Sequence, residues 1–352
     1  GVPAPALSSV PGSGLGAGRW GTALAALASQ RASTTIWARS AHSAAQINEQ
    51  HQLPHYLPGI HLPTQLQATI DFEQALAHAL GNDTQAGLII LGVPLAGLAE
   101  LCQRINAALP ATRRHPLFLL RTSKGFDPVT GQLPHQITDH HLRNAPWLHT
   151  GTLSGPSFAL EVAKGLPFGL TVASHSHVLC QTTVDIFHGH SARIYSSTDL
   201  MGVEIGGALK NIIAIACGIA DGLQLGTNAR AALITRGLAE MQRLGVALGG
   251  EAATFTGLTG LGDLVLTTTG DLSRNRQVGL ALAQGQSLDA ILASGLTAEG
   301  VRCAQAAHTL ALHHQIQAPI TSAVCDVLFN GLAPHQAVQQ LLARDPRLET
   351  SL

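Results

Sequence analysis

Short β-type runs alternate with helical patterns from about residue 10 to residue 195, and after Asp199 the β-type runs stop. The clearest runs are 34–38, 88–93, 117–122, 149–153, 169–173 and 193–197. Strands that alternate with helices are joined by crossovers, and crossovers build a parallel sheet. Beyond 199 the pattern is one of amphipathic or wholly apolar helical segments at 200–223, 228–248, 301–313 and 320–329. A chain of 352 residues exceeds the size at which a single core grows comfortably. The switch near 200 therefore predicts an α/β domain over 1–199 followed by an all-α domain over 200–352. No Gly/Ser linker, low-complexity tract or internal repeat separates the two halves, so close packing with a ligand crevice between them is expected.

Charge excludes several classes of partner. Charged residues make up only 12% of the chain and the formal net charge is −1, which leaves no basic field for nucleic acid or anionic lipid. The apolar stretch 87–102 is interrupted by Pro94 and Glu100, and 211–220 is too short to span a bilayer, so no membrane insertion is expected. Residues 1–9 have neither a basic n-region nor a sustained apolar h-region and do not read as a secretory signal; the absence of Met suggests a processed or trimmed start. The five cysteines (Cys102, Cys180, Cys217, Cys303, Cys325) form no CxxC pair and suggest neither a disulfide framework nor a zinc site. A reducing cytoplasm fits this usage. The eighteen histidines include adjacent pairs, but none has supporting acids at ligand spacing, so no metal is expected.

A glycine pattern narrows the first domain. Gly16, Gly18 and Gly21 match GxGxxG and run directly into an Ala- and Leu-rich helical segment at 22–30. In such a turn the first glycine allows the bend, the second admits a pyrophosphate, and the third lets the helix lie close to the sheet. The β-type run 34–38 follows at the spacing of a βαβ unit, and Arg39 stands where NAD-selective sites carry an acid; an arginine there favours the 2′-phosphate of NADP. Against this, Pro11, Gly12 and Gly14 weaken the segment that should be the first, central strand.

Lysine usage narrows the second. Only Lys124, Lys164 and Lys210 occur among twenty basic residues. Arg replaces Lys on a solvated surface but cannot lose its proton, whereas a buried Lys can. Lys210 lies in a helical segment with almost no polar face, so burial should depress its pKa and suit it to general acid–base work on a ketone; the structural reading is a lysine that snorkels to water or pairs with an acid. Lys124 follows a β-type run directly, where a point cation suits an oxyanion. Asp263, then Ser273, Arg274, Asn275 and Arg276, place an acid and a set of donors close in sequence. The donor set suits a phosphate monoester, and Ser273 also suits the N-cap of a helix beginning at Arg274.

Segments 16–25, 122–125, 154–159, 208–215, 228–240, 260–264 and 273–276 together make the chain resemble the bacterial-type NAD(P)+-dependent glycerol-3-phosphate dehydrogenase family over essentially its whole length. The resemblance implies a Rossmann-type doubly wound N-terminal domain, a helical C-terminal domain, and a homodimer that makes sn-glycerol 3-phosphate for phospholipid synthesis. It implies Lys210 as proton donor and acceptor, with Lys124, Gly155, Ser157, Asp263, Ser273, Arg274 and Asn275 at the substrate. It also implies Arg19, Trp20, Arg39, Lys124, Ala159, Arg274, Thr297 and Glu299 along the NAD or NADP cofactor. Lys164 matches no catalytic position. The competing readings are a two-domain dehydrogenase acting on a β-hydroxyacid or sugar acid, and a dinucleotide-binding regulator without catalysis.

Overall fold

The computed structural model describes residues 8–189, 191–296 and 298–343. It divides into two compact units: one contains the chain up to Ser123 with Pro134–Leu200, the other Lys124–Leu133 with the chain from Met201 onward.

The first unit is built on one sheet of eight strands: β1 (Ser8–Leu15), β2 (Ala32–Trp37), β3 (Gln67–Thr69), β4 (Gly87–Leu91), β5 (Leu117–Arg121), β6 (Leu148–Ser154), β7 (Phe168–Ala173) and β8 (Ala192–Ser197). They lie in the order β3-β2-β1-β4-β5-β6-β7-β8. β4 and β5 are buried at every position, which is why residues 87–91 and 117–120 read as apolar runs, with the buried Arg121 closing β5. Ile89, Leu91, Leu117 and Leu119 pack on one face with the helices Phe72–Leu80 and Leu98–Ala108. Leu88, Ile90, Phe118 and Leu120 pack on the other with the helices Arg19–Ser29 and His177–Phe187. Helices on both faces make the unit doubly wound.

Two features of the sheet depart from the sequence expectation, besides the assignment of Lys124–Leu133 to the second unit. β1 is a full central strand, paired in parallel with β2 and β4, despite Pro11, Gly12 and Gly14. Its register with β2 shifts between Ser8 and Gly12, so the proline without an N–H falls in the irregular stretch and not in the regular ladder. At Gly14 the missing side chain is replaced by close neighbours, since a Cβ there would lie 3.5 Å from Ile36 and 3.6 Å from Ala25. The second departure is that β6 and β7 run antiparallel while the other neighbouring strands are parallel. A parallel return must travel the length of a strand, roughly 20 Å, but the only helix between β6 and β7, Ala159–Ala163, rises about 7 Å. The chain therefore re-enters the sheet from the end at which it left.

The second unit is helical. Its long helix Leu200–Gly222 has a window of mean hydropathy 1.6 that would suffice to cross a membrane by composition, yet that window is entirely buried. Ile205, Ile212, Ile213, Ile215 and Ile219 of this helix share one core with Met241, Leu244, Phe255, Leu264, Val278, Ala304 and Val324. Glycines bring the backbones together: a Cβ at Gly218 would stand 2.1 Å from the carbonyl oxygen of Arg276, and one at Gly279 2.1 Å from that of Ile215. The helices Gly226–Ala247, Asp263–Thr269, Arg274–Ala283, Glu299–His313 and Pro319–Phe329 complete the packing. All five cysteines are free and buried.

Candidate active site

Within the helical unit two of the three lysines meet on one carboxylate. Lys210, at mid-length of helix Leu200–Gly222, donates to Asp263 Oδ1 at 2.5 Å and to Thr267 Oγ1 at 2.8 Å. Lys124 Nζ donates to Asp263 Oδ2 at 2.6 Å. Asp263 and Thr267 are one turn apart on helix Asp263–Thr269, and the Thr267 hydroxyl donates back to the Asp263 carbonyl at 2.6 Å, which fixes the oxygen that Lys210 uses. Lys124 is held here because Phe126 and Leu133, which follow it, are buried in the helical core. The turn between them is closed by Asp127, whose carboxylate accepts from the Thr130 N–H at 2.7 Å.

Asp263 is 1% exposed and Lys210 7%. Burial pushes the Lys210 ammonium down to about 8; the Asp263 charge opposes that shift and the Lys124 charge adds to it. For Asp263, burial works to raise the carboxyl, but the two ammonium groups outweigh it and hold it below the ordinary carboxylate value. Among the described residues no group of three or more His, Cys, Asp or Glu side chains could hold a metal ion. The arrangement therefore offers one buried, proton-exchanging amine beside a second cation. That pair suits an anionic substrate with a carbonyl or hydroxyl group.

The donors downstream divide into those that hold structure and those that face outward. Ser273 is the N-cap of helix Arg274–Ala283, accepting from the Arg276 N–H at 3.3 Å. Asn275 is buried; its Oδ1 accepts from the Gly300 N–H at 2.9 Å and its amide donates to Asn211 Oδ1 at 3.0 Å. Arg274 is exposed. Arg276 is committed to Asp221 and Asp271, at 2.8 and 3.0 Å. Glu299 begins helix Glu299–His313; its carboxyl is raised by burial, a shift that Arg302 and Arg274 oppose. Thr297 lies outside the described residues. Thr267, which accepts from Lys210, and Asn211, which accepts from Asn275, are buried polar residues that sequence reasoning did not single out. Asn211 follows Lys210 directly, and Thr267 lies one helical turn beyond Asp263, which is the only local signal for either.

In the first unit the glycine turn has the geometry of a pyrophosphate cradle. Gly16 follows β1 with φ 121°, and a Cβ there would lie 2.7 Å from the Gly92 carbonyl oxygen. A Cβ at Gly21 would lie 2.0 Å from the Gly16 carbonyl oxygen, so helix Arg19–Ser29 reaches this closeness only with glycine. At Gly18, the N-cap, a Cβ would meet nothing within 4 Å, and no side chain caps the helix. Open space therefore lies over the uncapped N–H groups where an anion is favoured. The turn sits between β1 and β4, where the strand order reverses, which is the ligand position of open α/β sheets. These residues fit a dinucleotide. Arg19 is exposed and Trp20 half-buried; Trp20 and Ala17 share an apolar cluster with Ala159. Arg39 is exposed beyond β2 and is followed by Ser40, the cap of helix Ala41–Ala45. Gly155, at φ 142°, turns the chain after β6, and the Ser157 hydroxyl donates to its carbonyl at 3.2 Å. Lys164 is exposed at the end of helix Ala159–Ala163.

A dinucleotide cradle in one unit and a buried, titratable amine in the other define a nicotinamide-dependent dehydrogenase of the two-unit type. The comparisons are specific about which. Residues 13–180 match the family model for the N-terminus of NAD-dependent glycerol-3-phosphate dehydrogenase, and residues 199–339 the model for its C-terminus. A relative from Ralstonia nicotianae, named glycerol-3-phosphate dehydrogenase [NAD(P)+], is 54% identical over 96% of this chain and 98% of its own length. The crystal structure of glycerol-3-phosphate dehydrogenase from Coxiella burnetii is similar at a TM-score of 0.85, with 39% identity, over 95% of this chain and 99% of that one. The glycerol-3-phosphate dehydrogenase of Saccharomyces cerevisiae shares the fold at a TM-score of 0.78 and 24% identity, over 95% of this chain and 99% of that one. The chain belongs to the NAD-dependent glycerol-3-phosphate dehydrogenase family.

Replacing Asp263 with Asn leaves two ammonium groups without their shared countercharge. Breaking a buried ion pair from one side costs roughly 3 kcal/mol. Urea unfolding should show a loss of that order, and adding Lys210→Met should recover part of it. An Asp263→Asn protein as stable as the parent would contradict the charge cluster.

Proposed function

We propose that the chain catalyses the reversible NAD(P)-dependent reduction of dihydroxyacetone phosphate to sn-glycerol 3-phosphate, as a cytoplasmic homodimer supplying phospholipid synthesis. Family membership and the name of the 54% identical relative support the reaction. The observation that carries it is the buried Lys210–Asp263–Lys124 cluster with Thr267. A nicotinamide dinucleotide, when bound by its pyrophosphate on the turn of Gly16, Gly18 and Gly21, supplies the hydride that the ketone carbon accepts. The proton that completes the alcohol comes from Lys210. Two of the three donors on its ammonium are directed to Asp263 and Thr267, which leaves one for the ketone oxygen. In the opposite direction the neutral amine, still oriented by the same two partners, removes the hydroxyl proton.

Lys124 adds positive charge that favours the phosphorylated substrate, and Arg274, Ser273 and the remaining N–H of Asn275 grip its phosphate. Gly155 and Ser157 serve the same substrate. Arg19, Trp20, Ala159, Thr297 and Glu299 line the cofactor, and Arg39 reads a 2′-phosphate, so NADP is favoured over NAD. Substrate reduction needs protonated Lys210. With its value at about 8, reduction should fall as pH rises through that value, and alcohol oxidation should rise over the same interval. Lys210→Ala should abolish both and leave nucleotide binding intact, as followed by loss of reduced-nicotinamide absorbance and by calorimetric titration with the nucleotide. Near-normal turnover by that variant would end the proton-transfer assignment.

Swapping Arg39 for Asp removes the cation and supplies an acceptor for a ribose hydroxyl. The ratio of kcat/KM with NADPH to that with NADH should drop by about tenfold or more. A constant ratio would show that Arg39 does not read the cofactor.

A further inference from the structure

The donors assigned to the substrate phosphate lie at the first turn of helix Arg274–Ala283. A second, half-buried charge cluster is fastened to that same turn. Asp221, near the end of helix Leu200–Gly222, accepts from Arg276 Nε at 2.8 Å and from Arg230 Nε at 2.8 Å. Its side chain is 7% exposed; those of Arg276 and Arg230 are 12% and 26% exposed. Arg276 also donates to Asp271, and Gln277 Nε2 donates to the Asp271 carbonyl at 2.8 Å, so the loop entering the helix is held as well.

The register of the long helix links this cluster to the first. Lys210 and Asp221 are separated by about three turns, roughly 16 Å, and so lie on one face. Lys210 on that face engages helix Asp263–Thr269, and Asp221 engages helix Arg274–Ala283. Between them Gly218 meets Gly279, where a Cβ on the latter would come 2.8 Å from Gly218 Cα. This contact sets how closely the helices cross but has no direction that stops one sliding along the other. The ion pair supplies that direction.

Rotation per residue does the rest. Arg274 and Arg276 are about 200° apart around the helix. Drawing Arg276 inward to Asp221 therefore turns Arg274 outward, where it is exposed, and presses Asn275 toward Asn211 and Gly300. We propose that Asp221 and Arg276 are positioning residues for phosphate recognition: their ion pair fixes the rotation and height of the turn that presents Arg274 and Asn275. Arg230 shares the carboxylate but belongs to helix Gly226–Ala247, which carries none of these donors. The inference rests on the reading of the site as one for a phosphorylated triose.

The experiment compares Arg276→Gln, Arg276→Lys and Arg230→Gln in the full chain. Arg276→Gln should raise KM for dihydroxyacetone phosphate, and weaken calorimetric binding of inorganic phosphate, by about tenfold, with kcat reduced by less than about threefold. Nucleotide affinity should not move. Arg276→Lys keeps the charge without the fork and should fall between the parent and the glutamine variant. Arg230→Gln should lower thermal stability while leaving KM and phosphate binding within about twofold of the parent. Should Arg276→Gln fail to fold, Arg276→Lys set against Arg230→Gln decides the matter by the same two readouts. Unchanged phosphate affinity in the Arg276 variants, equal effects from Arg276 and Arg230, or no phosphate binding by the parent would overturn the assignment. A parent that binds phosphate but does not turn over the triose overturns the reaction instead.

Discussion

The Asp263 carboxylate, closed off from water and shared by two ammonium groups, is the constraint around which the helical unit is arranged. Asp263 and Lys210, both removed from solvent, carry a desolvation penalty on the order of several kcal/mol each, which only tight geometry can offset. Lys124 closes the cluster from its half-buried edge. That geometry draws on three stretches of chain far apart in sequence: the segment Lys124–Leu133, helix Leu200–Gly222 and helix Asp263–Thr269. Each is anchored by apolar residues of one core: Phe126 for the first, the isoleucines for the second, Leu264 for the third. The hydrophobic core thus holds the cluster in place, and the cluster leaves one net positive charge when both lysines are protonated.

Glycine serves the two units in opposite ways. In the helical unit Gly218 and Gly279 remove side chains so that backbones touch, and no space is left. In the sheet unit Gly16 and Gly21 do the same against Gly92 and each other, but Gly18 opens on nothing. A turn closed on one side and open on the other leaves its N–H groups to a ligand. The strand before it tolerates Pro11 because the regular ladder begins after the register shift.

Most of the fold was legible because burial writes itself into composition. β4 and β5 read as strands since both faces are covered, and Leu200–Gly222 reads as a core helix since nearly every side chain is apolar. Direction is not written in the strand itself: nothing within 168–173 states that β7 opposes β6, and the signal lies in the connection, whose short helix Ala159–Ala163 does not carry the chain back along the strand. In the site, lysine scarcity singled out Lys124 and Lys210 because proton exchange demands that residue type. Thr267 escaped notice because it sits in a run of three threonines, any of which satisfies helix-interior chemistry by bonding back one turn. Only its contact with a residue 57 positions away distinguishes it. Arg276 posed the reverse difficulty: beside Ser273, Arg274 and Asn275 it reads as one more phosphate donor, whereas its guanidinium is taken by Asp221 and Asp271.

The need for two lysines on one acid follows from what a proton-exchanging amine must do. A lone Lys210 paired with a lone Asp263 in a dry site would be stabilised in its charged form by the whole of that carboxylate and would release its proton reluctantly. Lys124 takes the second oxygen and adds like charge, and both effects favour the neutral amine. Burial alone would lower the Lys210 value too, but without an acid to orient it the amine would have no fixed direction. The carboxylate supplies orientation, and the second ammonium cancels much of the electrostatic hold that orientation would otherwise impose. An arginine at 124 would also supply charge, but its broad fork would contact both carboxylate oxygens and compete with Lys210 for Oδ1. The compact ammonium leaves that oxygen to Lys210, so a chain that uses Arg nearly everywhere else places Lys at both positions.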